Sequence, residues 1–506
     1  MSSASNSLVI LLRYLLLLRG GTGGQTRGIT VSMPSISYAL RNNLRPAIVQ
    51  AGTLLLCFGS GLLLDSLQHL GPTIVVLTTV LGMTLGRTQR NRGLRNRLFA
   101  LVTLPLISIG CNEVARLFVQ HPNVADTLFT AAIGLSIWMR RFGGLPTRLG
   151  TLIALPFIAL LITPVPVLPG QSSSTLRSMM WSAVAALVAY AWVWVTQAGA
   201  ERTGFVESPP AAPHQGARPT QSSQRIPAST RMAVQMTLSL ALAFVIGRTV
   251  FDPHWTWIVL TAFIVNSGNR GRGDVVHKCL LRIAGAGFGT IVATLISGLL
   301  PAHDNTAVVI ILVTVVVGGW LRTISYAYWA GCVTSVLSLL QGYFGEGNVG
   351  LIGERLLQIV IGGALAVLVA WFVLPVKSSH VLGRRVRGCM AALGDARKAA
   401  QDAPAEFALH HQRFAENLAQ LELVAPSFIA HRRLYRLRRR DGRHPADAVD
   451  ALRACAAPMA VVAARESEQA VAAALREIGQ SMRLVGEVYG TARDHAGKTP
   501  AQPQKA

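Results

Sequence analysis

Arg282 stands at the head of an apolar run and is followed by Gly285, Gly287 and Gly289. A guanidinium is planar and matches a carboxylate with two parallel hydrogen bonds, so a cation at that position suits organic acids. The glycines let a neighbouring helix approach closely. Arg270 and Lys278 precede Arg282, and Arg87 to Arg97, including Arg95, form a cluster at the matching place in the first half of the chain. Together these cations read as the cytoplasmic mouth of an anion path, although loop arginines also serve membrane topology. Trp255 and Trp257 offer rings to stack on an aromatic substrate, and tryptophans also gather at membrane interfaces. Three acids are candidates for moving protons. Glu113 lies one helical turn from Arg116 and can simply pair with it, Glu354 adjoins Arg355, and Asp252 recurs at the place of Asp65. Helix-end acids such as Asp65 and Asp252 are also commonly solvated.

Motifs for other chemistries are missing. The nearest approach to a phosphate-binding loop, Gly497-Lys498-Thr499, has Ala492 where a glycine is required. The Gly285-x-Gly287-x-Gly289 series sits inside an apolar run, and no HExxH, GxSxG, CxxC or clustered Cys/His motif occurs. The adjacent His410 and His411 lie in a helical pattern and read as surface residues. The expectation is no enzyme, no cofactor and no metal.

These residues must be positioned by a membrane bundle. The chain has 506 residues, 51% hydrophobic and only 14% charged, with a mean hydropathy of +0.43. A soluble domain carries about 25% charged residues. The formal net charge of +24 would elsewhere suggest nucleic acid, but here it is concentrated in loops and tail. A spanning helix needs roughly 17–25 mostly apolar residues. Twelve candidates follow: 47–64, 71–86, 98–119, 124–139, 149–168, 178–197, 232–250, 254–267, 280–300, 306–321, 324–341 and 356–375. Several are short or interrupted by Pro105, Pro156 or Pro164, so ten to twelve spans fit. Continuous apolar runs without alternation exclude a barrel. Cationic loops fall on one side and acids on the other, which places both termini in the cytoplasm.

The two six-span blocks align with each other. Arg45 pairs with Arg231, Asp65 with Asp252, Thr78 with Thr261, Arg95 with Lys278, Trp138 with Trp320 and Arg177 with Arg355. An even number of spans per copy gives both copies the same orientation, related by an axis along the membrane normal. The second span of each copy is short and follows Pro72 or Pro253, the pattern that marks binding sites in repeat-built transporters. The expected fold is an all-α polytopic membrane protein with two parallel six-helix repeats and a C-terminal cytoplasmic helical domain.

The expected organisation is a loose segment 1–33, a first repeat 34–197, a disordered linker 198–230 rich in Pro, Ser and Gln, a second repeat 231–375, a helical domain 376–497 and a disordered tail 498–506. Residues 8–18 are too short to span, and Met33 opens a cleaner start than Met1. The arginine-rich stretch from His431 to His444 reads either as a lure for anionic lipid heads or as a solvated connection between helices.

At this point the chain resembles the fusaric acid resistance-like family of bacterial inner-membrane proteins, which includes aromatic carboxylic acid efflux pumps. The resemblance is strongest in TRMAVQMTLSLALAF, HWTWIVLTAFIV, KCLLRIAGAGFGTIVATL and GERLLQIVIGGALAVLVAWFVLP, and spans about 34–400. The first copy is degenerate, lacking the glycine series between Leu98 and Pro105. The resemblance implies proton-driven export of small organic anions, in some relatives with a periplasmic adaptor protein. It maps the family's Arg-and-Gly motif onto Arg282, Gly285 and Gly289, and its late arginine onto Arg355. A passive anion channel and a non-transporting membrane scaffold or envelope-stress protein are the rival expectations.

Overall fold

The computed structural model describes residues 36–69, 72–88, 94–162, 175–206, 226–252, 254–297, 301, 304–322, 324–343, 349–402, 406–437, 442–465 and 467–497. The expectations for residues 1–33 and 498–506, and the middle of the 198–230 linker, lie outside the described residues. Among the described residues the chain is helical and carries no strand. It divides into two compact units, one of Met33–Asn269 with Lys278–Pro375, the other containing Arg270–His277 and Val376–Ala506.

Each of the twelve apolar segments expected from sequence is a helix of the first unit. They are α1 (Ile36–Gln68), α2 (Pro72–Thr88), α3 (Leu94–Gln120), α4 (Pro122–Trp138), α5 (Gly144–Ile162), α6 (Thr175–Arg202), α7 (Ala228–Val250), α8 (Thr256–Asn266), α9 (Arg272–Ser297), α10 (Asn305–Leu321), α11 (Tyr326–Tyr343) and α12 (Val349–Phe372). The first turn of α9 belongs to the other unit. Seven of these (α1, α3, α5, α6, α7, α9 and α12) are long and apolar enough to cross a membrane, while α2, α8 and α10 are shorter apolar helices. Helices satisfy their own backbone groups, which is what lipid demands. The surface agrees: Val102, Leu106, Phe288, Leu295 and Phe372 are each at least 60% exposed. So much outward apolar area is stable against hydrocarbon, not water.

The two halves pack by the same rule. In each, the first helix packs on the second and on the sixth, the second packs on the sixth, and the fourth packs on the fifth. The halves also meet by matching seams: α4 lies against α7, and α10 against α1, so each joins the fourth helix of one half to the first helix of the other. That reciprocal arrangement is what a two-fold relation between sequence repeats produces.

The α4–α7 seam is filled by aromatics. Phe118, Phe129, Phe157, Phe244 and Trp255 form one buried cluster with Met236 and Leu240. Phe129 and Phe244 meet edge to face with centroids 5.6 Å apart. At 11 residues, α8 reaches about 16 Å, half of a hydrocarbon core about 30 Å thick. Residues Ile258–Phe263, Val265 and Asn266 of this short helix are buried, so its ends are enclosed by protein.

The other unit packs α13 (Ser378–Asp402), α14 (Phe407–Glu422), α15 (Ala425–Leu437), α16 (Pro445–Ala454), α17 (Ala456–Ala464) and α18 (Glu468–Gly497) around one apolar core. Leu382, Leu393, Phe414, Leu421, Val449, Leu452 and Ile478 lie inside it. His444 caps α16, its side chain accepting from the Ala446 amide while Asp447 accepts from the His444 amide.

Candidate functional site

The glycines after Arg282 close a tight seam between α9 and α11. A Cβ at Gly285 would meet Ala327 and stand 2.9 Å from the Ala330 Cβ. One at Gly289 would meet the Gly331 carbonyl group, 2.8 Å from its carbon. The Ser335 hydroxyl donates to the Gly289 carbonyl at 2.8 Å, tying the two backbones together. Gly287, between the two, faces nothing within 4 Å. Only two of the three glycines are therefore required by packing.

This seam holds Arg282 inside the bundle. Its side chain is among the largest fully buried in the protein, at 1% exposure, and its Nε and Nη2 have no hydrogen-bond partner. Arg355 of α12 is also buried, at 4%. It donates to the Ser338 hydroxyl of α11 and lies 3.9 Å from the centroid of the Trp257 ring. The two guanidinium groups are close enough to interact electrostatically, and Arg282 is within similar reach of the Tyr326 hydroxyl. A charge near the bilayer centre costs at least ~2.5 kcal/mol, and two mutually repelling ones cost more unless an anion joins them.

Around these cations four helices carry polar residues at helical spacing. On α11, Thr334 and Ser338 are one turn apart and Tyr326 stands at the start of the helix; α9 carries Arg282 and Thr290; on α8, Trp257 and Thr261 are one turn apart. On α12, Arg355 and Gln358 are one turn apart. Thr261 Oγ1, Thr290 Oγ1, the Tyr326 hydroxyl and Gln358 Oε1 are buried without a hydrogen-bond partner, as the Arg282 donors are. Buried polar atoms of this kind ordinarily find partners, so their collection on α8, α9, α11 and α12 marks a polar interior suited to a polar guest. Gln358 Nε2 donates to Glu354 at 2.9 Å, and His254 Nδ1 stands 3.5 Å from the same carboxylate.

The remaining candidates lie elsewhere. Arg270 belongs to the other unit and donates to the Leu423 carbonyl at 2.9 Å. The Lys278 ammonium donates to the Ser267 carbonyl at 3.0 Å, capping the C-terminus of α8. Trp255 is buried between the two halves, 5.1 Å from Phe118 and 5.4 Å from Phe244 by ring centroids. Arg248 covers its face at 4.0 Å. The side chains of Arg87 and Arg95 lie outside the described residues. Asp252 is exposed. Glu113 forms the expected pair with Arg116 at 3.2 Å.

Four residues escaped sequence reasoning. Arg248 and Asp126 form a two-bond pair across the halves, at 3.2 and 2.9 Å; they are far apart in sequence and carry no local signal. Tyr326 and Ser338 are ordinary residues of an apolar helix until the fold sets them beside the arginines. In the first half Arg177, which aligns with Arg355, is exposed and donates to the Gln68 carbonyl at 2.9 Å. Among the described residues no group of His, Cys, Asp and Glu is placed to hold a metal ion.

Residues 238–369 match the sequence model of the family described as fusaric acid resistance protein-like. No curated protein and no solved structure matches the chain. The matched stretch contains Arg282, Tyr326, Ser338, Arg355, Gln358 and Trp257, the whole of the buried polar centre. With its apolar helices, the chain is a multi-pass membrane protein whose matched family points to transport or efflux.

Proposed function

We propose, from the premise that a fusaric acid resistance protein-like domain encloses the buried arginines, that this chain exports small organic anions, aromatic carboxylic acids among them. The observation that carries the reading is Arg282, wholly buried with Nε and Nη2 unmatched. A carboxylate is the guest that answers both needs, since it neutralises charge and accepts from both nitrogens in one plane. Arg355 takes the second oxygen or a ring substituent, and Trp257, already laid on Arg355, supports the ring of the acid.

Export runs outward across the bacterial inner membrane with both termini in the cytoplasm, as the distribution of arginines favours. The proton gradient drives it, with Glu354 as the exchanging acid, its carboxylate accepting from Gln358 and standing 3.5 Å from His254. Asp252 and Glu113 serve the outer surface. Lys278 and Arg270 support the site indirectly, and a periplasmic adaptor receives the product in those relatives that use one.

The test is resistance. Cells lacking the chain are challenged with a panel of acids including fusaric and hydroxybenzoic acid, then complemented with wild type or with Arg282→Gln at matched abundance. The reading predicts that deletion sensitises to planar carboxylic acids and that only wild type restores growth. Unchanged sensitivity across the panel refutes export, and export that survives a protonophore refutes proton coupling.

A further inference from the structure

The two seams between the halves are equivalent by repeat but unequally filled. At the α4–α7 seam Phe129 and Phe244 meet inside a buried cluster with Phe118, Phe157 and Trp255. At the α1–α10 seam the structure instead has a cavity of about 440 Å³, bounded by α1, α2, α6, α10 and the start of α11. That is within the range of pockets that hold small molecules, about 300–1,000 Å³. Its polar lining is specific. Gln50 and Gln197 line it, but their amides are engaged with backbone carbonyls of α2, Gln50 with Met83 at 3.1 Å and Gln197 with Gly86. Arg322 is the cation at the wall, 5.5 Å from the ring of Trp329, with Trp320 beside it and Glu201 as the acid. Val316 of α10 supplies an apolar side.

A cation held over one indole with a second indole in the same wall is a recognition surface for a flat ring bearing a carboxylate. One further relation links this cavity to the buried centre. Tyr326 begins α11 four residues after Arg322, and its hydroxyl is within electrostatic reach of both Arg322 and Arg282.

We infer that this cavity is a second binding site for an aromatic carboxylate, the intake vestibule from which the anion passes along Arg322 and Tyr326 to Arg282. The inference rests on the reading of Arg282 as an anion seat and deepens it. Arg322 receives the carboxylate, Trp320 and Trp329 hold the ring, and the Tyr326 hydroxyl offers a hydrogen bond between the two arginines. Glu201 opposes the anion's charge and keeps this site the weaker of the two, so that occupancy favours the inner one.

The test is the number of sites, read by equilibrium dialysis of radiolabelled hydroxybenzoate against the purified full-length protein. Wild type binds two per chain. Arg322→Gln and, independently, Val316→Trp, which fills the cavity, each remove one site and leave the tighter one, while Arg282→Gln removes the tighter. Glu201→Gln, which fills nothing, tightens the weaker site several-fold. A single site that survives both Arg322→Gln and Val316→Trp overturns the vestibule and leaves the Arg282 reading standing. No binding at all overturns both.

Discussion

Gly289→Ala tests whether the α9–α11 seam is as close as described. The added Cβ meets the Gly331 carbonyl group, 2.8 Å from its carbon, whereas ordinary contact lies near 3.5–4.0 Å. Both partners are backbone, so the helices must part by about 1 Å. Overpacking of this sort costs about 1–3 kcal/mol, and the Ser335 bond to the Gly289 carbonyl is lost with about 1 kcal/mol more. Better helix propensity returns up to about 1 kcal/mol. Gly287→Ala is the internal control, two residues away on the same helix with nothing within 4 Å. It gains the propensity and loses nothing. Thermal unfolding of the two variants in one detergent should place Gly289→Ala below wild type and Gly287→Ala at or above it, a separation of about 2–4 °C. Export activity should follow, because the seam positions Arg282. Equal stability of the two variants would refute the close approach and the placement of Arg282 that depends on it.

The pair joining the halves should be energetically coupled: Asp126 and Arg248 are mostly buried, at 14% and 22% side-chain exposure. A double-mutant cycle with Asp126→Asn and Arg248→Gln should give a coupling of about 1–2 kcal/mol in thermal unfolding, and additivity would contradict the bridge. In the helical unit, burial above all, with the nearby His431, holds the His444 imidazole down to about 4. Its folded value lies below the usual 6.5, so the stability it represents is intact above pH 6.5 and drains as pH falls from there towards 4, by at most about 3 kcal/mol. Hydrogen exchange of the α16 amides, corrected for intrinsic rate, should therefore accelerate between pH 7 and pH 5 in wild type and not in His444→Asn. Burial also pushes the Cys389 thiol up to about 12 and Cys455 to about 11. Neither should react with iodoacetamide at pH 7.5 until denaturant is added, as mass spectrometry would report.

Much of the fold was legible because lipid imposes a simple rule on sequence. Each apolar run became a helix, and the repeat pairing predicted from Arg45, Thr78 and Trp138 reappears as matching helix neighbours in the two halves. The shortness of the second span in each copy was also visible, and α8 proved shorter than its apolar run because Ser267 and Gly268 leave the helix. Arg282 with Gly285 and Gly289 was readable, since a cation beside glycines in an apolar run is costly and conspicuous, whereas Arg355 joined them only through the family resemblance. What sequence could not supply was contact. Trp257 lies on Arg355, a pairing that no spacing announces, and Trp255 joins Phe118 and Phe244 in the aromatic cluster. Lys278 and Arg270 stand in the same charged stretch as Arg282; the first caps α8, and the second donates to the Leu423 carbonyl of the unit to which it belongs. Spacing along a chain does not say which end of a long side chain finds which acceptor.

The central claim is that Arg282 is a charge stored for an anion. Replacing one buried, unpaired cation by a neutral amide relieves its desolvation, so Arg282→Gln should unfold at a higher temperature than wild type in the absence of substrate. Ligand that binds only the folded state raises stability with its concentration. Hydroxybenzoate should therefore raise the unfolding temperature of wild type in a dose-dependent manner and leave that of Arg282→Gln largely unmoved. A variant that is less stable than wild type, yet still gains the full shift with the acid, would contradict the account.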